Sequence, residues 1–126
     1  MNIILNRMKS HALAIQSRLP LRPAAFAVLA ALAREPRNGI DVLDHVNATV
    51  PGRPILGPGT LYRLLRELRH DGLIARADAP VSDAPIDERQ THHELTRLGR
   101  DVLAAESDRL TRTLALARRA AKPARP

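Results

Sequence analysis

The chain has 126 residues, enough for one modest core, and its 20 lysines and arginines against 13 acids leave a formal charge of +7 and a pI near 11.3. So basic a balance points to a polyanion as partner, and an aromatic content of 2% leaves Leu, Ala, Val and Ile to build the interior. Cysteine is absent, which excludes disulfides, thiolate zinc sites and cysteine nucleophiles and fits a reducing cytoplasm.

The charge is unevenly spread. Residues 1–37 hold six bases and one acid, residues 77–88 hold four acids and no base, and residues 97–126 hold eight bases and three acids. Phosphate attraction is therefore expected from the two ends and the middle of the chain, not from 77–88.

Leu5, Met8, Ala12, Ile15 and Leu19 recur at steps of three and four, which predicts a first helix over residues 3–18 before Pro20. Ile3-Ile4-Leu5 is too short, and with Asn6, Arg7 and Lys9 too polar, to read as a leader or a membrane span. Residues 23–34 set Phe26, Val28, Leu29 and Leu32 among alanines, apolar nearly all round, as in a buried helix. Asn38 is placed to cap a short helix over residues 39–47, with Ile40, Leu43 and Val46 inward. A stiff loop with Pro51, Gly52, Arg53 and Pro54 follows.

The next segment is the most informative. Leu61, Leu64, Leu65 and Leu68 fall at i, i+3, i+4 and i+7 of one helix, and Gly59, Arg63, Arg66 and His70 fall opposite, with Tyr62 and Glu67 on the flanks. Pro58 suits the first turn and Gly72 the stop. A rigid helix with guanidinium groups on its outer face can enter a major groove and bind phosphates and guanine edges. The alternative is a core helix with a solvated arginine face.

Beyond Gly72, residues 73–76 and 89–95 read as short strands around an acidic stretch with two prolines, the form of a wing. Thr96 then caps a long helix over residues 97–121, whose seam runs through Val102, Leu103, Ser107, Leu110, Leu114, Ala117 and Ala121. A seam that outruns a small domain is expected to pair with the same helix of a second copy. The alternative is that it folds back on its own domain.

His92-His93-Glu94, with Asp87 and Glu88 nearby, raises the question of a metal site. Adjacent residues of a strand point to opposite faces, so His92 and Glu94 share a face and the two histidines cannot chelate one ion; no metal or other cofactor is expected. If those imidazoles face acids, they would charge below neutral pH and alter the wing. No glycine-rich phosphate loop, no Gly-x-Ser-x-Gly turn and no framed carboxylate pair stands in the chain, so an enzyme is not expected.

Leu56-Gly57-Pro58-Gly59-Thr60-Leu61-Tyr62, Asp71-Gly72-Leu73-Ile74 and Leu95-Thr96-Arg97-Leu98-Gly99-Arg100 together resemble the PadR-like transcriptional regulators, over about residues 21–110. The resemblance implies a mostly α winged helix-turn-helix fold with a small β-hairpin. It divides the chain into an N-terminal arm helix (1–20), a DNA-binding domain (21–96) and a C-terminal dimerisation helix (97–122). It also implies a cytoplasmic homodimer that binds a pseudo-palindromic operator on double-stranded DNA, represses, and in some members releases DNA when a small aromatic or drug-like effector binds. On this view Arg63 and Arg66 meet base edges or phosphates, Thr60 and Tyr62 meet the backbone, and Arg53, Arg76 and Arg89 are further phosphate contacts. Leu103, Leu110, Leu114 and Ala117 would form the dimer seam.

The chain departs from the family pattern in two places. Asn38-Gly39-Ile40 stands where members often carry His-Gly-Tyr, and Arg89-Gln90-Thr91-His92-His93-Glu94 stands where arginines and two tyrosines are usual. Lost phosphate contacts weaken binding and flatten its salt dependence. A second reading follows from them: a winged-helix protein-interaction module with weak or no DNA binding.

Overall fold

The computed structural model describes residues 2–49, 51–77 and 86–121. Among the described residues five helices and three short strands follow in the order α1 (Ile3–Gln16), α2 (Pro23–Ala31), β1 (Arg37–Asn38), α3 (Gly39–Asn47), α4 (Pro58–His70), β2 (Ile74–Arg76), β3 (His92–Leu95) and α5 (Arg97–Ala120). This is the mostly helical winged-helix architecture expected from the sequence. The tip of the expected wing, residues 78–85, lies outside the described residues.

The core gathers around α2 and α4. Val28 and Leu29 of α2, Val42 and Val46 of α3, Leu61 and Leu65 of α4, Ile74 of β2 and Val102 of α5 are each at most 1% exposed. Burying a side chain of this size stabilises by roughly 1.5–3 kcal/mol before the cost of ordering the chain. The fully buried side chains of the core are aliphatic, and Tyr62 packs against them from a partly buried position.

In α3 the inward stripe is shifted from the expected one. Asn38 accepts from the Asp41 N–H at 2.8 Å and caps the helix as predicted, but Gly39, Val42 and Val46 are buried, with Leu43 beside them, and Ile40 is 50% exposed. Gly39, Val42, Leu43 and Val46 form the i, i+3, i+4, i+7 set, and Ile40 lies one step of rotation outside it. The shift follows from close approach at the helix start, where a Cβ on Gly39 would overlap the Glu88 carbonyl. The sheet holds a strand more than expected. β3 lies between β1 and β2, antiparallel to both, with Arg37 and Arg76 opposite His93.

Thr96 explains the Leu-Thr-x-x-Gly pattern. Its hydroxyl donates to the Gly72 carbonyl at 2.6 Å and accepts from the Gly99 N–H at 3.0 Å, so it caps α5 and seats it on the turn after α4. Gly72 itself sits at φ +78°, and a Cβ on Gly99 would overlap the Leu73 carbonyl. Farther along α5, Glu106 is buried: it accepts the Leu21 N–H at 2.6 Å and the Arg109 guanidinium. Arg109 above all, and then the Leu21 amide, hold its carboxyl below the usual carboxylate range.

The two outer helices leave the core at their ends. Ile15 and Leu19 reach it, whereas Leu5 and Met8 of the predicted stripe are exposed. His11 donates from Nε2 to Asp101 at 2.7 Å and ties α1 to α5. On the α5 seam, Leu103 packs on the chain's own core, Leu110 is partly buried, and Leu114 and Ala117 are exposed.

Candidate nucleic-acid interface

The helix α4 has the two faces its sequence describes. Leu61, Leu64, Leu65 and Leu68 are buried, while Thr60, Arg63, Arg66 and His70 are exposed and Tyr62 is partly buried on one flank. Its start is fixed by a side chain from the end of α3. Asn47 Oδ1 accepts the Ile55 and Leu56 N–H groups at 2.8 and 3.0 Å, and Nδ2 donates to the Leu56 carbonyl at 3.1 Å. Gly57 and Pro58 then begin the helix.

The remaining cations expected from sequence surround this helix unequally. Arg53 is exposed in the loop before α4. Arg89 is exposed on the turn before β3, where Asp87 accepts its N–H at 3.0 Å and its guanidinium Nε and Nη2 at 3.3 and 3.4 Å. Arg76 is partly buried in β2, with an Nε that has no hydrogen-bond partner among the described residues. Tyr62, Arg66 and Arg89 line one open cleft between α4 and the wing root.

Three residues meet at that cleft: Arg69, which the sequence does not single out, and Glu88 and His93, which it offers only as candidates for a metal site or an acid-facing imidazole and not as part of a DNA interface. Glu88, 6% exposed, accepts both terminal nitrogens of Arg69, at 2.9 and 2.5 Å. His93, fully buried in β3, has Nε2 at 3.2 Å from the Glu88 carbonyl and 3.6 Å from its carboxylate. A carbonyl only accepts, so Nε2 carries the proton; Nδ1 is left buried without a partner among the described residues. Burial first, and then the Arg69 and His92 charges, push the His93 pKa below the usual histidine value against the pull of Glu88. The expected acid-facing imidazole is thus present, but its surroundings oppose charging. The signal for Arg69 was its angular position: on a helix of 3.6 residues per turn it shares the flank of Tyr62, seven residues away, and that flank faces the wing.

The histidine pair divides between faces as strand geometry requires, with His93 inside and His92 exposed beside exposed Glu94. Among the described residues no group of three or more His, Cys, Asp or Glu side chains is arranged to hold a metal ion. On the opposite flank of α4, Arg22 meets Glu67 at 3.0 Å, which offsets the one acid on that side of the helix.

The model of the PadR-like transcriptional regulator family matches residues 28–105, more than half of the chain. The chain belongs to that family. Solved structures share this fold: a PadR-like transcriptional regulator from Bacillus cereus is 16% identical, with a TM-score of 0.64 over 79% of this chain and 92% of that one. A PadR-like transcription factor from Bacteroides fragilis is 22% identical, with a TM-score of 0.60 over 77% and 88% of the two chains. The adhesin competence repressor of Streptococcus pyogenes is 17% identical, with a TM-score of 0.55 over 91% and 76%. Among curated proteins none matches the chain. The family match takes in the whole of α3, α4 and the sheet, and with them the cleft, so this PadR-like protein is a transcriptional regulator by family. No helix of the described residues is long and apolar enough to cross a membrane.

Proposed function

We propose that this PadR-like regulator binds duplex DNA in the cytoplasm by laying α4 in the major groove, as a homodimer on a pseudo-palindromic operator, and represses transcription there. The observation that carries DNA binding is the division of α4: four leucines buried in the core fix the helix rigidly while Arg63 and Arg66 project from the other side. In this reading those two arginines meet base edges or phosphates, and Thr60 and Tyr62 contact the backbone. Arg53 and Arg89 add exposed positive charge for phosphates on either side, and Arg76 contributes from a partly buried position. The chain has no catalytic role in it.

Support for the homodimer comes from apolar surface that the single chain leaves uncovered. Ile4, Met8 and Leu13 of α1 and Leu114 and Leu116 of α5 are all at least half exposed. Ile4 and Met8 share one face of α1, and Leu114 lies one turn beyond Leu110 on the α5 seam; exposed apolar surface of this kind is used at interfaces between chains. Leu110, Leu114 and Ala117 would form the seam, with Leu103 buttressing it from the core side.

A mobility-shift titration on DNA from immediately upstream of the protein's own coding region, repeated across salt concentrations, tests the proposal. A shift whose affinity falls steeply with salt supports DNA binding. No shift on this DNA or on unrelated duplex at low salt would favour the protein-interaction module instead.

A further inference from the structure

The turn that carries Arg89 is held from three directions. The Ile40 N–H at the start of α3 donates to the Arg89 carbonyl at 3.3 Å, and Gly39 leaves room for no side chain against the Glu88 backbone. His93 of β3 donates to the Glu88 carbonyl. Those two anchors fix the turn's backbone to α3 and to the sheet. The third anchor runs to α4 itself: the Arg69 guanidinium grips the Glu88 carboxylate with two parallel bonds. Bidentate pairing of this kind fixes orientation as well as distance.

We propose that Arg69 and Glu88 are positioning residues for DNA binding, whose buried fork locks the Asp87–Glu88–Arg89 turn against the recognition helix and so holds the Arg89 guanidinium beside Tyr62 and Arg66. The inference rests on the DNA-binding reading given above. Arg69 is a cation of the recognition helix that does not itself reach DNA: its side chain is 22% exposed and committed to Glu88. Glu88 is an acid at the edge of a DNA-facing cleft that does not repel phosphate, because it is buried and neutralised from behind. Asp87 completes the arrangement. Its contacts to the Arg89 guanidinium are long and solvent-exposed, so they aim the side chain while leaving Nη1 for a phosphate oxygen. Arg66 and Arg89 then act as one phosphate-binding face built from two elements, and the spacing between them is set by residues that touch no DNA.

The test is a double-mutant cycle read by salt dependence. Wild type, Glu88→Gln, Arg89→Ala and the double variant are titrated with the upstream duplex and with an unrelated duplex at several salt concentrations. Removing one phosphate contact lowers the slope of log K against log salt by about 0.9. A homodimer carries each substitution twice, so the proposal expects Arg89→Ala and Glu88→Gln each to lose about twice that much, and the double variant to lose no more than Arg89→Ala alone. A residue that merely stabilises the fold would leave the slope of the folded protein unchanged. Arg69→Lys serves as a second variant, because it keeps the charge but not the fork; should Glu88→Gln fail to fold by circular dichroism, the same slope loss is expected from Arg69→Lys. An unchanged slope in Glu88→Gln and Arg69→Lys, or losses that add in the double variant, would overturn the positioning role while leaving DNA binding intact. A wild type that binds neither duplex would overturn the DNA-binding reading, and the positioning role with it.

Discussion

Asn47 brackets the peptide group of Leu56, accepting its N–H at 3.0 Å and donating to its carbonyl at 3.1 Å. This clamp joins the last residue of α3 to the residue that precedes the Gly57 cap of α4, so α3 dictates where α4 begins. Asn47→Ala is expected to lower stability by about 1–3 kcal/mol, because three partly buried or exposed backbone groups lose their partner at once. Asn47→Asp keeps the acceptor for Ile55 and Leu56 but sets a carboxylate against the Leu56 carbonyl, and should not restore wild-type stability. Urea unfolding of the three proteins is the check, and equal midpoints would show that the clamp is dispensable.

His93 gives a pH dependence of definite sign. Its pKa is lowered in the folded chain, so between that value and the ordinary histidine value near 6.5 the unfolded chain binds the extra proton. The stability linked to neutral His93 is therefore fully present above about pH 6.5 and is lost as pH falls. Burial drives this direction and the nearby Arg69 of α4 and adjoining His92 add to it, while Glu88, the acid it faces, opposes it; Arg37 of β1 and Arg76 of β2 stand opposite it in the sheet. Thermal unfolding at pH 7.5 and pH 5.5 should show a larger acid loss in wild type than in His93→Gln, which can still donate to the Glu88 carbonyl but cannot titrate. Equal losses would mean that the folded chain binds a proton at His93 as readily as the unfolded chain does, which contradicts a lowered pKa.

The parts of the fold written in local pattern were legible from the sequence. Leu61, Leu64, Leu65 and Leu68 define α4 by spacing alone, and Asn38 and Thr96 mark the starts of α3 and α5 by their capping chemistry. What escaped was set by contacts distant in sequence. A strand of two residues, Arg37–Asn38, has no alternation to detect, and Ile40 loses its inward place because Gly39 meets a backbone 49 positions later. The exposed arginines of the candidate interface could be named from periodicity, since each is placed by its own helix or loop. The junction of Arg69 with Glu88 and His93 could not, although the sequence offers those last two as metal-site candidates, because their meeting depends on how α4, the turn at 87–90 and β3 converge. Glu106 escaped for the same reason: its carboxylate is buried by the Leu21 amide, 85 residues away.

The C-terminal helix carries the oligomer prediction. With 24 residues α5 is about 36 Å long by its rise per residue, and its second half leaves the core. Replacing Leu110 and Leu114 together with Lys should yield a folded monomer whose DNA affinity falls by orders of magnitude, since the second half-site no longer contributes. Sedimentation of the variant beside wild type at one salt concentration decides the matter. A monomeric wild type, or a variant that remains dimeric and binds normally, contradicts a dimer built on this seam.

The central claim is that α4 reads DNA with Arg63 and Arg66, and a binding titration of these two positions tests it most directly. The proteins are wild type, Arg63→Ala, Arg66→Ala and the double variant, titrated with the upstream duplex at physiological salt and each checked for thermal unfolding. Both side chains are exposed, so unfolding should shift by no more than about 0.5 kcal/mol, while each substitution should cost about 1–3 kcal/mol of binding. A double variant that is stable and binds the duplex as tightly as wild type would contradict the account.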